Sequence, residues 1–269
     1  MKTTAIIQAR MGSKRLPGKV LFPIQGKPLL GWMLDRLSGS NQIDQIIIAT
    51  SIEKSDDAIE EFAESYGCEV YRGSHEDVLD RYYKTAKSLK CNPDLVVRLT
   101  ADCPLIDPLI VDKIIKSIKN SSLDFISNSE PLPSTWPDGM DVSVMTYSAL
   151  KKAWEVAKKP SEREHVTFIF WKEDSQFKCE RVECPKDLSK YRLTVDYKED
   201  FELIEKIISH FVIKKEDLKF VEMQKILDYL ETNPNLLMIN NQYTRGEGWK
   251  DSFKKDKLIK LNPLSIDKA

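Results

Sequence analysis

The sequence predicts an α/β fold in which helices cover both faces of a mostly parallel, Rossmann-like sheet. Strand and helix patterns alternate along the first half of the chain, which is typical of consecutive βαβ units. The strand patterns are short and almost continuously apolar, as in strands that are buried on both faces. We predict strands at 4–8, 45–50, 68–72, 94–99 and 123–127, and helices at 28–38, 55–66, 76–89 and 108–119.

A long loop separates these elements from the second half of the chain. Residues 131–139 contain three prolines and a glycine, which exclude a regular element. Beyond this loop the patterns predict strands at 141–146, 178–183 and 191–195, and helices at 147–158, 163–172, 199–211 and 216–231. We expect one domain over 1–232 and a small C-terminal arm over 233–269. The arm would pack on the domain or on a partner subunit and end frayed, which leaves a homodimer open.

Composition excludes several classes of protein. The 41 basic and 42 acidic residues give a formal charge of −1, so we expect neither nucleic acid nor an anionic membrane as a partner. No apolar stretch approaches the ~20 residues of a membrane span. Early cations speak against a signal peptide, and the five cysteines form no C-x-x-C pair. We therefore expect free thiols and a cytoplasmic location.

The richest cluster of charged and small residues lies at 10–19, directly after the first strand pattern. It holds four cations and two glycines, Gly12 and Gly18. Glycine lets the backbone turn tightly and point N–H groups at an anion, which Arg and Lys neutralise. Five residues separate the glycines and Val20 follows Lys19, so the segment is not a P-loop. We predict a phosphate site held by side chains as well as backbone; a solvated basic loop is the alternative.

Two aspartates follow predicted strands and are candidate metal ligands. Asp102 comes after the strand pattern at 94–99, and Asp196 comes after the one at 191–195. Mg²⁺ commonly takes one or two carboxylates together with phosphate oxygens and water. A turn-forming or helix-capping role is the alternative for each, and it suits Asp107, which precedes Pro108. No nearby histidine is a suitable base for Cys103, which disfavours that thiol as a nucleophile.

Several blocks carry a family resemblance. Residues 8–19, QARMGSKRLPGK, resemble the opening motif of the cytidylyltransferases that make CMP-sugars, and the spore-coat polysaccharide branch is the nearer match. Residues 98–107, 163–167 and 192–197 also resemble that branch, in the expected order over roughly 1–210. The 3-deoxy-manno-octulosonate and acylneuraminate enzymes are more distant, sharing mainly the first loop and the two aspartates. The resemblance implies a nucleotide-diphospho-sugar transferase-like fold.

The resemblance implies Mg²⁺-dependent transfer of CMP from CTP to an acidic sugar, or a related sugar or polyol phosphate, for surface polysaccharide biosynthesis. An acceptor oxygen would attack the α-phosphate in line, and pyrophosphate would leave. We assign catalysis to Arg10, Lys19, Asp102 and Asp196, with Mg²⁺ on the two aspartates. The predicted nucleotide-binding residues, within the CTP part at 1–130, are Gln8, Ala9, Arg10, Gly12, Ser13, Arg15, Lys19, Ser51, Arg81, Thr100 and Ala101. The predicted acceptor-binding residues, within 131–232, are Asp138, Asp141, Arg163, Glu164 and His165.

Alternatives remain for the function and for two of these groups. A metal-dependent nucleotide-sugar glycosyltransferase would typically carry an Asp-x-Asp motif, whereas Asp102 stands alone between Ala101 and Cys103. A non-catalytic nucleotide-binding subunit would be expected to lose some of the charged groups. Arg81 could instead be a surface partner of Asp77. Residues 163–165 could be the solvated first turn of an apolar helix, and a general-base role for His165 is the weaker interpretation.

Overall fold

The computed structural model describes residues 1–247 and residue 256. A seven-stranded sheet forms the centre of the molecule, and a two-stranded hairpin lies outside it. The strands are β1 (Thr3–Gln8), β2 (Pro23–Ile24), β3 (Lys27–Pro28), β4 (Gln45–Ser51), β5 (Glu69–Gly73), β6 (Leu95–Thr100), β7 (Phe125–Ser127), β8 (Ser143–Thr146) and β9 (Cys179–Arg181). The α-helices are α1 (Leu29–Leu37), α2 (Asp57–Ser65), α3 (Val78–Ser88), α4 (Pro108–Lys119), α5 (Tyr147–Val156), α6 (Pro160–His165), α7 (Phe168–Trp171), α8 (Lys198–Ile213) and α9 (Met223–Thr232).

The strand order of the large sheet is β5-β4-β1-β6-β8-β7-β9. Its first four strands run parallel, β9 runs parallel to β7, and β8 is antiparallel to both of its neighbours. In this sheet β4 lies on one side of β1, and β6, which comes later in the chain, lies on the other side of β1. Ligands of open α/β sheets bind in the crevice outside such a switch point. The order of strands therefore places a crevice at the carboxyl ends of β1 and β6.

Successive side chains of β1 enter different cores, as the two-residue period of a strand requires. Ala5 and Ile7 belong to a large apolar cluster that includes residues of α1, α2, α4, α8 and α9. Ile6 belongs to a second cluster, which includes residues of α3, α5 and α7. The helices therefore cover both faces of the sheet, and the predicted α/β fold is confirmed.

Three predicted elements of the second half differ from the structure. Residues 191–195 are no strand: they are extended, but only Arg192 forms a bridge, to Asp138. Instead of pairing with a neighbouring strand, the backbone of this segment forms hydrogen bonds with two loops, at Asp138 and at Asp102. The predicted helix at 163–172 divides into α6 and α7 because Val166 has a φ of 62°. The predicted helix at 216–231 becomes a 3₁₀ turn, Leu218–Phe220, followed by α9.

Other local expectations are confirmed. Asp107 caps α4 by accepting a hydrogen bond from the Leu109 N–H at 2.8 Å. All five cysteines are free thiols. Within residues 1–247 and 256, no helix is long and apolar enough to cross a membrane.

Candidate active site

A cleft of about 620 Å³ opens at the carboxyl ends of β1 and β6. The basic loop forms one wall, and the segment around Asp196 faces it. The other walls come from the loop after β7, the end of α6 and the C-terminal arm. The cleft thus lies where the strand order places the crevice.

The basic loop is shaped by backbone hydrogen bonds. Gly18 has a φ of 76°, which glycine adopts readily, and both its N–H and that of Ser13 donate to the Met11 carbonyl oxygen at 2.9 Å. The Met11 N–H donates to Asp56 Oδ1 at 2.8 Å, which ties the loop to the segment after β4. Asp56 is itself held by the Ser51 hydroxyl at 2.5 Å. These bonds hold the loop with its cations in the cleft wall.

Lys19 is the central cation of the cleft. Its Nζ lies 3.0 Å from Asp102 Oδ2 and 2.8 Å from Asp196 Oδ1, and it donates to the Val195 carbonyl oxygen at 2.6 Å. Burial of the ammonium opposes its charge, but the two carboxylates outweigh burial and raise the pKa of Lys19. Two carboxylates that are 94 residues apart in sequence therefore meet at one positive charge.

Asp196 is held from three sides. Besides Lys19, Arg15 contacts it at 2.6 Å and Arg192 at 3.3 Å. Burial favours the neutral acid, but Lys19 and Arg15 outweigh it and hold the pKa of Asp196 well below its usual range. The Asp196 carboxyl group is therefore ionised at neutral pH and fixed in place.

Arg192 connects the segments that meet behind the cleft. Its guanidinium contacts Asp138 at 2.7 Å and Asp200 at 2.8 Å, in addition to Asp196. Asp200 is fully buried and accepts hydrogen bonds from the N–H groups of Asp196 and Tyr197 at 2.9 and 3.0 Å. Charge-assisted bonds of this kind are strong and directional. They fix an extended segment that has no strand ladder to hold it.

A glycine allows the loop carrying Asp138 to approach this segment. Gly139 has a φ of 102°, and a Cβ atom there would lie 2.5 Å from the Leu193 carbonyl carbon. Any other residue would therefore push the two segments apart.

Acidic groups dominate the end of the cleft away from the basic loop. Asp138 is buried, which raises its pKa, while Arg245 and Arg192 act in the opposite direction. Asp141 pairs with Arg245. Glu164 and His165 reach the same wall from the end of α6, where Val166 breaks the helix. This end offers carboxylates that can accept hydrogen bonds from hydroxyl groups.

Most of the predicted site residues line this one cleft. From the phosphate and metal predictions it contains Gln8, Arg10, Ser13, Arg15, Lys19, Thr100, Ala101, Asp102 and Asp196. From the acceptor predictions it contains Asp138, Asp141, Glu164 and His165. Residues from distant parts of the chain thus share one cavity.

Five predicted site residues do not line the cleft: Ala9, Gly12, Ser51, Arg81 and Arg163. The Ala9 N–H donates to the Ala49 carbonyl oxygen, and the Ser51 hydroxyl is bound to Asp56. Arg163 is bound to Asp77 through Nε at 2.9 and 3.0 Å, so it anchors α6 to the start of α3. The interpretation of Arg163 as an acceptor ligand is corrected accordingly.

Arg81 is no surface residue. Its side chain is fully buried, and its Nη1 donates to the Ser74 carbonyl oxygen at 2.7 Å. Burial lowers the pKa of Arg81, with nearby Arg10 as a smaller cause in the same direction. Asp77 is paired with Arg163 instead. Arg81 therefore lies behind the cleft wall, and its alternative role as an exposed partner of Asp77 was wrong.

Several residues of the cleft had no role predicted from the sequence. Arg98 and Arg192 lie in blocks that carried the resemblance, but neither received a role. The Nε atom of Arg98 is buried without a hydrogen-bond partner among the described residues, and its side chain lines the cleft. Arg245 comes from the arm, where no sequence pattern indicated a site.

The donor set near Lys19 suits a hard cation. Asp102 and Asp196 offer carboxylate oxygens, which Mg²⁺ prefers, and both already contact one positive charge. No group of three or more metal-ligating side chains occurs in the described part of the chain, so a metal here would need further oxygen ligands from phosphate or water. Burial raises the pKa of the Cys103 thiol, which disfavours the thiolate as a nucleophile.

A basic loop and two carboxylates lie together at the switch point of an α/β sheet. This combination is typical of nucleotide-dependent transferases. Comparison with known proteins identifies the class more closely. A family model described as cytidylyltransferase matches residues 4–236. The chain therefore belongs to the cytidylyltransferase family and is an enzyme of that kind.

The chain is also similar to individual proteins over most of its length. The chain is 39% identical over 243 residues to the uncharacterized protein MJ1063 of Methanocaldococcus jannaschii, covering 90% of this chain and 95% of that one. It is 33% identical to the spore coat polysaccharide biosynthesis protein SpsF of Bacillus subtilis, and the match covers 86% of this chain and 94% of that one. A cytidylyltransferase structure from Leptospira borgpetersenii matches with a TM-score of 0.81 at 37% identity, covering 88% of this chain and 97% of that one.

The contacts of Arg192 predict a large effect on stability. Arg192→Met removes the partner of the fully buried Asp200, and breaking a buried ion pair in this way costs about 3–5 kcal/mol. Lys206→Met is a matched control, because the pair that Lys206 makes with Glu202 is exposed and its loss costs about 0.5 kcal/mol or less. Urea unfolding at pH 7 measures both. Equal stability of the two variants would contradict the role given to Arg192.

Proposed function

We propose that this cytidylyltransferase uses Mg²⁺ to transfer CMP from CTP to an acidic sugar, or a related sugar or polyol phosphate, with release of pyrophosphate. The observation that carries the proposal is the meeting of Asp102 and Asp196 at Lys19, beside a loop with three further cations. Phosphoryl transfer depends mainly on positioning and on neutralising charge. This cleft supplies both from fixed groups.

The basic loop is the proposed site of the triphosphate. Arg10, Arg15 and Lys19 line the cleft beside Ser13, and their charges oppose those of the phosphates and of the departing pyrophosphate. Backbone groups of Gln8 and Ala9 are engaged within the sheet, since the Gln8 carbonyl oxygen accepts from Ala101 and the Ala9 N–H donates to Ala49. The buried Gln8 Oε1 has no partner in the described part of the chain. It is the group we propose for the base, because it can accept a hydrogen bond from the cytosine amino group.

Asp102 and Asp196 are the proposed ligands of Mg²⁺. The ion would neutralise charge on the α-phosphate when bound. Lys19 holds the two half-buried carboxylates together and compensates their charge, which offsets the repulsion between them. Arg15 and Arg192 orient Asp196 from its other sides.

The reaction requires no protein nucleophile. An oxygen of the acceptor forms a bond to the α-phosphorus as the bond from that phosphorus to the bridging oxygen breaks, and the electron pair leaves with pyrophosphate. When the attacking group is a hydroxyl, its proton must be accepted during the attack. We assign this proton to Asp138 or His165, which lie at that end of the cleft.

The far end of the cleft is the proposed acceptor site. Carboxylates of Asp138, Asp141 and Glu164 suit the hydroxyl groups of a sugar. Arg98 supplies a cation with a buried, unpartnered Nε, which suits an acidic group on the same acceptor. Similarity to a spore coat polysaccharide biosynthesis protein supports a role in surface polysaccharide synthesis. The five free cysteines support a cytoplasmic location.

The proposal is tested by pyrophosphate release. Purified enzyme with Mg²⁺ is given CTP, UTP, ATP or GTP together with a panel of acidic sugars, sugar phosphates and polyol phosphates. We expect release with CTP and a member of this panel, and less with UTP and the purine nucleotides. A preference for a purine nucleotide, or release of CMP from a CMP-sugar in place of pyrophosphate from CTP, would contradict the proposed reaction.

The two aspartates provide the sharper test. Asp102→Asn and Asp196→Asn keep the shape of each side chain but remove its charge, so each should lower kcat roughly 100-fold or more through lost metal binding and charge neutralisation. The double variant should lose little more than either single variant, since both residues act through one ion. Asp174→Asn is the control, because that side chain is 84% exposed. Full activity of either site variant at low Mg²⁺ would remove that residue from the proposed metal site.

A further inference from the structure

The C-terminal arm forms part of the cleft, although the residues of the arm that reach it lie beyond the segment that matches the family model. That match ends at residue 236, whereas residues 244–247 line the cleft wall. The arm is anchored before it reaches the cleft. Asn240 is buried, and its Nδ2 donates to Asp200 Oδ1 at 2.8 Å and to the Arg192 carbonyl oxygen at 3.1 Å. The arm is therefore attached to the same buried network that fixes Asp196.

Aromatic stacking connects the arm to the basic loop. The ring of Tyr243 stacks on that of Tyr197 with centroids 3.7 Å apart and planes within 3° of parallel. The guanidinium carbon of Arg15 lies over the Tyr197 ring, 5.1 Å from its centroid. The Tyr197 hydroxyl donates to Glu247 at 2.9 Å, so the arm contacts this ring at two points. Tyr197 thus links the arm to Arg15.

Further contacts hold the arm against the acceptor end. Arg245 pairs with Asp141 and donates through Nη1 to the Trp136 carbonyl oxygen at 3.1 Å. Asp256 accepts hydrogen bonds from the Ser161 N–H and hydroxyl at 3.0 and 2.5 Å, which ties it to α6. These contacts make the arm a wall of the active site.

We propose that the arm positions Arg15 for the triphosphate of CTP, with Tyr243 acting through Tyr197. This inference rests on the proposed function, since it assigns Arg15 to the phosphates. A free arginine side chain loses rotamer entropy when it binds a ligand, and holding it in place beforehand removes part of that cost. A guanidinium that lies over a ring keeps its N–H groups at the edge, where Arg15 contacts Asp196 through Nη2 at 2.6 Å and can present other N–H groups to a phosphate. Tyr243 is a positioning residue and does not itself line the cleft.

The first experiment measures CTP binding by calorimetry with the full-length protein, without an acceptor. Tyr243→Ala removes the stacked ring and should weaken CTP binding roughly 3- to 10-fold, the range expected for one aromatic contact. Tyr243→Phe keeps the ring but loses the hydrogen bond to Glu199, and it should restore the affinity to within about twofold. Phe220→Ala is the matched control, because its ring is 73% exposed and lies outside the cleft lining.

A double-variant cycle separates positioning from general support of the fold. Arg15→Ala should weaken CTP binding roughly 10- to 100-fold, as expected for a charge-assisted hydrogen bond. Adding Tyr243→Ala to Arg15→Ala should cause no further loss, because the arm then has no arginine to position. Tyr243→Leu, which keeps apolar bulk without a flat ring, repeats the test should the alanine variant lower the melting temperature.

The outcomes distinguish this inference from the function on which it rests. Wild-type protein that binds no CTP would remove the proposed function itself. Wild-type binding with unchanged affinity in Tyr243→Ala, or with losses that add fully in the double variant, would overturn only the role of the arm. Rescue by Tyr243→Phe with non-additive losses supports it.

Discussion

The active site depends on one interaction, the contact of Lys19 with both Asp102 and Asp196. Each of the three residues comes from a different part of the chain: the loop after β1, the loop after β6 and the extended segment before α8. Two carboxylates at close range would repel each other, whereas an ammonium between them offsets that repulsion and, together with Arg15, holds the pKa of Asp196 low. The same arrangement presents oxygen ligands to a divalent cation beside the loop that we assign to the phosphates. The arrangement of the two carboxylates and the proposed phosphoryl transfer therefore both depend on the positive charge of Lys19.

The groups behind this contact explain why the geometry is fixed without regular secondary structure. Arg192 and Asp200 join the loop of Asp138, the segment of Asp196 and, through Asn240, the C-terminal arm. Gly139 allows the first two segments to lie in backbone contact. Buried ion pairs contribute little net stability when compared with apolar packing, but removing one partner is costly. Their value here is positional: they hold side chains of these three segments in one arrangement before any ligand binds.

The sequence predicts much of the fold because its signals are local. Apolar runs such as that of β1, and their alternation with helical patterns, can be recognised from a few consecutive residues. The order of these elements then restricts the possible topologies. The segment at Tyr191 and Val195 was mispredicted, since its alternating apolar side chains pack in the core as those of a strand would, whereas its backbone bonds to loops instead of a neighbouring strand. The basic loop and Asp102 follow the strands β1 and β6, as predicted, whereas the prediction of Asp196 relied on the family resemblance and on a strand that the structure lacks. Arg245 was not predictable, because its partners Asp138 and Asp141 lie more than 100 residues away and no local pattern connects them.

Mn²⁺ binding in the absence of nucleotide tests directly whether Asp102 and Asp196 form a cation site held by Lys19. Electron paramagnetic resonance of the free ion follows the binding. Mn²⁺ takes the oxygen ligands that suit Mg²⁺. In Lys19→Met the ammonium shared by Asp102 and Asp196 is gone, and of the cations around Asp196 only Arg15 and Arg192 still contact it. We predict that Lys19→Met binds Mn²⁺ more tightly than the wild type, and that adding Asp102→Asn abolishes this increase in affinity. Binding by Lys19→Met that is equal to or weaker than that of the wild type would contradict the claim that these two carboxylates form a cation site held by Lys19.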